Sequence, residues 1–387
     1  MQGAPPPNPP AIVEQMVKPY MERTDTHGVA IAVYVKGKEY LLTYGDDGND
    51  PPNKVTPDLV FGIGSVTKTM TAAMLAYQTI GEGGKPPLKN INACVCDYLP
   101  SDVKEYGRGI RKVTLLELAT HTSSFPSRIP GHPGTELYAG KPPSPDLIKW
   151  WEDFLKPPYP PEILYSNVGY VTLGYALEGP DSKPTFPELL REDITGPLAM
   201  THTFTQIPSG VPLAQGFVRK TAVDMDETDI KSSGHDMLIW LKANIGVLDK
   251  TIPPHLAEAL RVTHRIWFMT DPDQRFNMGL GWEVFSKDPD VPVIVSKNGA
   301  SMRGGFSAWI GFMPEEKVGV AILTNEFNQG RDAELGVVDD TGVPTPINPT
   351  ALGRQLLMQL DGVPAAPAKP KTKTFGERLR SLFDTED

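Results

Sequence analysis

The sequence predicts an α+β fold: an antiparallel sheet flanked by helices, built from both ends of the chain, with a mainly helical region inserted. Two segments carry that reading. Gly28 to Tyr44 runs apolar through Val29-Ala30-Ile31-Ala32-Val33-Tyr34-Val35, breaks at Lys36-Gly37-Lys38 and resumes with Tyr40-Leu41-Leu42-Thr43-Tyr44, which is a β-hairpin pattern. Near the other end, Phe306 to Met313 and Val318 to Thr324 flank Met313-Pro314-Glu315-Glu316, where proline second in a four-residue turn predicts another hairpin. Helical stretches lie between them at Ser65 to Ile80, Leu115 to Thr120, Asn167 to Leu177 and Met237 to Asn244.

Beyond Leu360 the composition changes. Pro364-Ala365-Ala366-Pro367-Ala368-Lys369-Pro370 reads as a linker, and Thr374-Phe375-Gly376-Glu377 as a capping box. Phe375, Leu379, Leu382 and Phe383 would then form one short apolar stripe. Proline is abundant, 40 of 387 residues or about 10% against an ordinary ~5%, and clusters in segments that read as extended loops and termini.

Composition excludes several functions. With 40% hydrophobic and 22% charged residues, the chain can bury a sizeable core. Lys plus Arg number 37 against 47 for Asp plus Glu, a net charge of -10, which argues against a nucleic-acid partner. Apolar runs such as Val29 to Val35 fall far short of the ~20 residues a membrane span needs. The start, Met1-Gln2-Gly3-Ala4-Pro5, has neither the basic nor the apolar region of a signal peptide. Cys94 and Cys96 are separated only by Val95, so two free thiols are expected. The seven histidines show no His-x-His and no His-Glu-x-x-His, which leaves a metallohydrolase with little support; no metal and no cofactor is expected.

Three short motifs carry chemistry. Ser65 and Lys68, in Phe61-Gly62-Ile63-Gly64-Ser65-Val66-Thr67-Lys68, share one face at a helix start. Serine needs a nearby base to act as a nucleophile, lysine can serve if its pKa is lowered, and a helix N-terminus offers N–H groups to an oxyanion. Alone the spacing is weak, and Ser101-Asp102-Val103-Lys104 repeats it in a charged, solvated setting. Tyr165-Ser166-Asn167 stands at a loop-to-helix junction, where a phenol can relay protons and an amide can hold a carbonyl. The plainer alternative is that Asn167 caps the helix and Tyr165 packs its ring. Lys297-Asn298-Gly299 ends the apolar strand Val291 to Ser296, presenting a fixed charge beside a residue that admits close approach. Its plainer alternative is an ordinary Asn-Gly turn.

Taken together and in this order, the three motifs resemble those of the serine β-lactamase and penicillin-binding-protein superfamily, most closely the class C β-lactamases. Thr114-Leu115-Leu116-Glu117-Leu118-Ala119-Thr120-His121-Thr122, Gly279-Leu280-Gly281-Trp282-Glu283 and Gly304-Gly305-Phe306 extend the likeness, which runs from about residue 12 to residue 360. The class A tripeptide Ser-Asp-Asn is absent, and no Gly-x-Ser-x-Gly surrounds Ser65. The resemblance implies a serine β-lactamase/transpeptidase-like fold. Residues 12–82 and 207–361 would form a discontinuous α/β sandwich domain, 83–206 a mainly helical domain, and 362–387 the linker and amphipathic tail.

The resemblance also implies roles. Ser65 would be the acylated nucleophile, Lys68 and Tyr165 would share general-base and general-acid work, and Lys297 would support Tyr165 and meet a substrate carboxylate. Asn167 would orient the substrate, beside Asn298, Gly299 and Ala300. The N–H groups of Ser65 and Ala300 would form the oxyanion hole, and Arg128 falls near a position where the family usually has a side-chain-contacting glutamine. Two departures stand out: Asn298 replaces the usual threonine, and Phe217 occupies a position commonly held by a tyrosine lining the deacylation site.

The activity implied is hydrolysis of β-lactam antibiotics by a monomeric enzyme, periplasmic or secreted after loss of an upstream signal. A carboxylesterase, a D,D-peptidase or D-aminopeptidase, and a penicillin-binding receptor that stays acylated remain open.

Overall fold

The computed structural model describes residues 8–81, 88–100, 107–129, 142–157, 161–181, 184–224, 230–270, 276–285, 292–328, 337–338, 344–345 and 348–362. Helix α1 (Pro9–Thr24) starts on a proline, which lacks the N–H that a first turn leaves unpaired, and buries Val13, Val17 and Tyr20 on one face. Strands β1 (Gly28–Val35) and β2 (Lys38–Gly45) form the first expected hairpin, with Val35 opposite Lys38. The chain continues through β3 (Val60–Gly62), a 3-10 turn at Gly64–Val66 and α2 (Thr67–Thr79).

Mainly helical structure follows: α3 (Leu115–Ala119), α4 (Pro145–Asp153), α5 (Asn167–Glu178), α6 (Phe186–Leu189) and a π-helical turn at Leu190–Thr195. Short strands β4 (Gly216–Val218), β5 (Thr221–Val223) and β6 (Lys231–Ser233) lead to α7 (Gly234–Ile245) and α8 (Pro254–Thr263). The chain then forms β7 (Asn277–Met278), β8 (Glu283–Phe285), β9 (Ile294–Ser301), β10 (Phe306–Met313) and β11 (Val318–Thr324), and closes with α9 (Pro349–Asp361).

These strands make one seven-stranded antiparallel sheet in the order β2-β1-β11-β10-β9-β8-β7, so first and last hairpins meet at its centre. Both faces are covered. Val29, Ile31, Val33, Trp309, Val320 and Ile322 pack under α1 and α9, while Ala30, Ala32, Ala308, Ile310 and Phe312 face the larger core that includes α2, α7 and α8. That two-sided burial explains why β1, β10 and β11 read as continuous apolar runs and not as alternation.

Two expectations are corrected. The Lys297-Asn298-Gly299 motif does not end a strand in a turn: β9 runs to Ser301, and Asn298 and Gly299 sit opposite Trp309 and Ala308. Cys94 and Cys96 are paired as a disulfide, not free. The chain bends into a 3-10 turn at Val95–Asp97, which leaves the two Cα atoms 5.2 Å apart, within disulfide reach. The second Ser-x-x-Lys copy at Ser101 and the C-terminal linker and tail lie outside the described residues.

Candidate active site

Ser65 sits on the 3-10 turn that feeds α2, a helix buried on nearly every side, Lys68 included. Small residues Thr71, Ala72, Ala73 and Ala76 let neighbours approach it all round. The turn is pressed against β9 backbone to backbone. Gly64 has φ +50, and a Cβ there would lie 2.5 Å from the Ala300 nitrogen; a Cβ on Gly299 would lie 2.1 Å from the Ile63 oxygen. Only glycine fits either position. Strand β8 pairs with β9 from Ile294 to Ser296, so the β9 edge from Lys297 onward has no strand beside it among the described residues and borders the Ser65 turn.

The side chains converge on Ser65. Lys68 Nζ donates to Ser65 Oγ at 3.1 Å and to Asn167 Oδ1 at 2.7 Å. The Tyr165 hydroxyl contacts Ser65 Oγ directly. Lys68 is 2% exposed, so these oxygens supply what water no longer can. Above the Tyr165 ring, Lys68 Nζ lies 5.1 Å and Lys297 Nζ 5.3 Å from the centroid. Lys297 Nζ donates to Asn298 Oδ1 at 2.8 Å and lies 3.6 Å from Glu283 Oε1. Because an ammonium only donates, the Asn298 oxygen must face it, and its NH₂ group is left for another acceptor.

Asn167 does not cap α5. Ser166 does, accepting from Gly169 N–H at 2.7 Å, which frees Asn167 for Lys68 and lets its Nδ2 donate to Ser127 Oγ at 3.3 Å. The structure therefore brings together Ser65, Lys68, Tyr165, Asn167, Lys297 and Asn298, with the backbones of Gly299 and Ala300 alongside. Arg128 is exposed and makes no hydrogen bond or ion pair with this cluster among the described residues; Ser127 is the loop residue that reaches it. Phe217 stacks on His27 at 4.2 Å.

Sequence reasoning missed His121 and Glu283 as well as Ser127. His121 is buried against the rings of Tyr165 and Tyr170, at 4.6 and 5.0 Å. Burial, then the charges of Lys68 and Lys297, hold its pKa well below the usual histidine value. Both His121 and Glu283 stand inside matched stretches of sequence, but only tertiary contact assigns them to the site. Among the described residues, Cys94, Cys96 and Asp97 form a group of metal-ligating type, with the two sulfurs bonded to each other.

A family model named Beta-lactamase matches residues 13–340. The chain belongs to that family. A beta-lactamase of Pseudomonas fluorescens is 26% identical over 355 residues, spanning 81% of this chain and 93% of the relative. One of Yersinia enterocolitica is 28% identical over 361 residues, spanning 81% and 86%. Among solved structures, a class C beta-lactamase superposes with a TM-score of 0.74 at 22% identity, covering 91% of this chain and 96% of its own. A tyrosine-to-phenylalanine mutant of a class C beta-lactamase gives the same score and identity, covering 91% and 97%. The α+β serine β-lactamase fold expected from the sequence is the fold found. No helix of the described residues is long and apolar enough to cross a membrane.

Proposed function

We propose that this protein is a class C-type serine β-lactamase that hydrolyses β-lactam antibiotics through an acyl-enzyme on Ser65. One observation carries the reading: Ser65 Oγ is held by Lys68 Nζ and the Tyr165 hydroxyl together, beside an open strand edge. Tyr165, as its phenolate, takes the Ser65 proton as Oγ attacks the lactam carbonyl, while the Lys68 ammonium holds Oγ in place. The Ser65 and Ala300 N–H groups meet the oxyanion, and the proton passes to the lactam nitrogen as the C–N bond breaks. Water activated at Tyr165 and Lys68 then attacks the ester and releases Ser65.

The flanking ammonium charges of Lys68 and Lys297 stabilise a phenolate over a phenol, which suits Tyr165 to this exchange. Asn167 orients the substrate amide, and Lys297 with the Asn298 NH₂ receives a substrate carboxylate. In this reading residues 12–82 and 207–361 supply Ser65, Lys68 and Lys297, while 83–206 supply Tyr165 and Asn167. The enzyme acts as a monomer in the periplasm or outside the cell.

Steady-state assays with a cephalosporin, a short-chain nitrophenyl ester and a D-Ala-D-Ala peptide test the substrate class. Turnover of the cephalosporin is expected to dominate; dominance of either other substrate makes this an esterase or a peptidase. Ser65→Ala is expected to abolish turnover and covalent labelling by a penicillin. A mass spectrum with the acyl group elsewhere removes Ser65 from its role.

A further inference from the structure

Tyr165 stands on a loop and is 37% exposed, yet its hydroxyl must meet Ser65 Oγ. The residues on either side of it are both hydrogen-bonded to one residue, His121. The Leu164 N–H donates to the backbone oxygen of His121 at 2.8 Å, and the Ser166 N–H donates to His121 Nδ1 at 3.1 Å. The His121 ring lies 4.6 Å from the Tyr165 ring between these bonds. His121 itself adopts φ +59, a left-handed backbone that is uncommon outside glycine and asparagine. That turn lets oxygen and ring of one residue reach both neighbours of Tyr165.

We infer that His121 is the positioning residue for Tyr165, gripping the peptide groups before and after it and seating its phenol on Ser65. The inference rests on the reading that Tyr165 moves the Ser65 proton. Nδ1 accepts from an N–H, so it carries no proton, and the neutral ring holds its proton on Nε2. Nε2 is buried without a hydrogen-bond partner among the described residues. Protonation would turn Nδ1 into a donor facing the Ser166 N–H and add a third cation beside Lys68 and Lys297. The depressed pKa of His121 accords with a ring that stays neutral where the enzyme works, against Tyr165, Tyr170, Lys68 and Lys297.

The experiment compares His121→Phe, His121→Asn and Tyr165→Phe with the wild type. Phenylalanine keeps the ring and loses the acceptor. Asparagine loses the ring but places an oxygen one bond beyond Cγ, as Nδ1 is, and tolerates the left-handed backbone. Rates are read with a cephalosporin and with a fluorophosphonate that labels reactive serines. His121→Phe is expected to lower kcat and the labelling rate about 100-fold, the scale of a misplaced catalytic group, with KM changed by less than about 3-fold. His121→Asn is expected to recover to within about 10-fold of wild type. The pH profile of kcat should shift in His121→Phe and return in His121→Asn.

If Tyr165→Phe reacts at the wild-type rate, the mechanism under Proposed function fails. If Tyr165→Phe is slow but His121→Phe is not, or His121→Asn is as slow as His121→Phe, the positioning role fails alone. Nitrogen NMR on histidine-labelled wild-type enzyme needs no folded variant except for assignment by His121→Asn. A neutral His121 with its proton on Nε2 at pH ~7 supports the inference, and a proton on Nδ1 overturns it.

Discussion

Ser65 and Tyr165 meet at one hydroxyl, but the molecule holds them in opposite ways. The Ser65 turn is clamped by backbone against the β9 strand, through Gly64 and Gly299, in the middle of the core. Tyr165 hangs on a loop, more than a third exposed, and its neighbours Leu164 and Ser166 are held by hydrogen bonds to His121. Breaking the first side should therefore cost folding as well as catalysis. Breaking the second should cost catalysis alone.

The largest expected effect is Gly299→Ala. Its methyl would lie 2.1 Å from the Ile63 oxygen, and a backbone atom in a packed sheet has nowhere to go. Stability should fall by about 3 kcal/mol, the top of the usual range for overpacking, measured by urea unfolding. Activity of the folded remainder should fall too, because Ser65 and Ala300 would be forced apart. A stable, active variant would mean the turn and strand are less tightly pressed than their geometry implies.

Tyr165→Phe tests the other side. Turnover should fall about 10²- to 10⁴-fold, the usual worth of a positioned acid–base group, while the unfolding midpoint moves little. A large loss of stability would show that Tyr165 is a packing residue and erase the contrast between the two halves.

The sequence made one half of the site far more legible than the other. Ser65 and Lys68 are three residues apart on a helix, so local spacing alone places them together. The two hairpins were legible because each strand pair is joined by a short turn between apolar runs. Lys297 was found by motif, yet its strand was read as ending too early, since Asn-Gly suggests a turn until β10 is seen pairing across it. His121 and Ser127 escaped because each acts through contact with residues 40 or more positions away. The disulfide escaped for a different reason: a 3-10 bend brings Cys94 and Cys96 within bonding distance.

Glu283 sharpens the comparison on the strand side. It lies 3.6 Å from Lys297 and 4.0 Å from Arg354, so under the proposed mechanism it would neutralise part of the charge offered to a substrate carboxylate. Glu283→Gln keeps the shape and removes the charge. KM for a carboxylate-bearing cephalosporin is expected to drop about 5-fold, with a neutral ester unaffected, and the gap should narrow in high salt. Equal changes for both substrates would mean that Lys297 does not meet the carboxylate.

The smallest effect separates the end of α5 that contacts Lys68 from the end that packs in the core. Asn167 opens that helix at the site, and Glu178 closes it in the core of the helical region, accepting from the Phe186 N–H at 2.7 Å. Burial raises the Glu178 pKa from 4.5 to about 7. The folded protein thus binds more protons than the unfolded chain between those values, and this group's contribution to stability declines as pH rises through them. Asp193, raised to about 6 by burial, acts in the same direction. His264, depressed to about 3 by burial, acts oppositely up to the ordinary histidine range, so the whole-protein curve can be nearly flat. Subtraction isolates Glu178. Glutamine keeps the acceptor for Phe186 without a charge, so Glu178→Gln should match wild type near pH ~4.5 and exceed it by about 1 kcal/mol above pH ~7, allowing for solvent screening. Thermal melts across that range give the difference, and a gap independent of pH would show that Glu178 does not change charge there. The kcat of the folded variant should stay at the wild-type value, because the charge sits at the end of α5 that holds the helical core and not at the end that reaches Lys68.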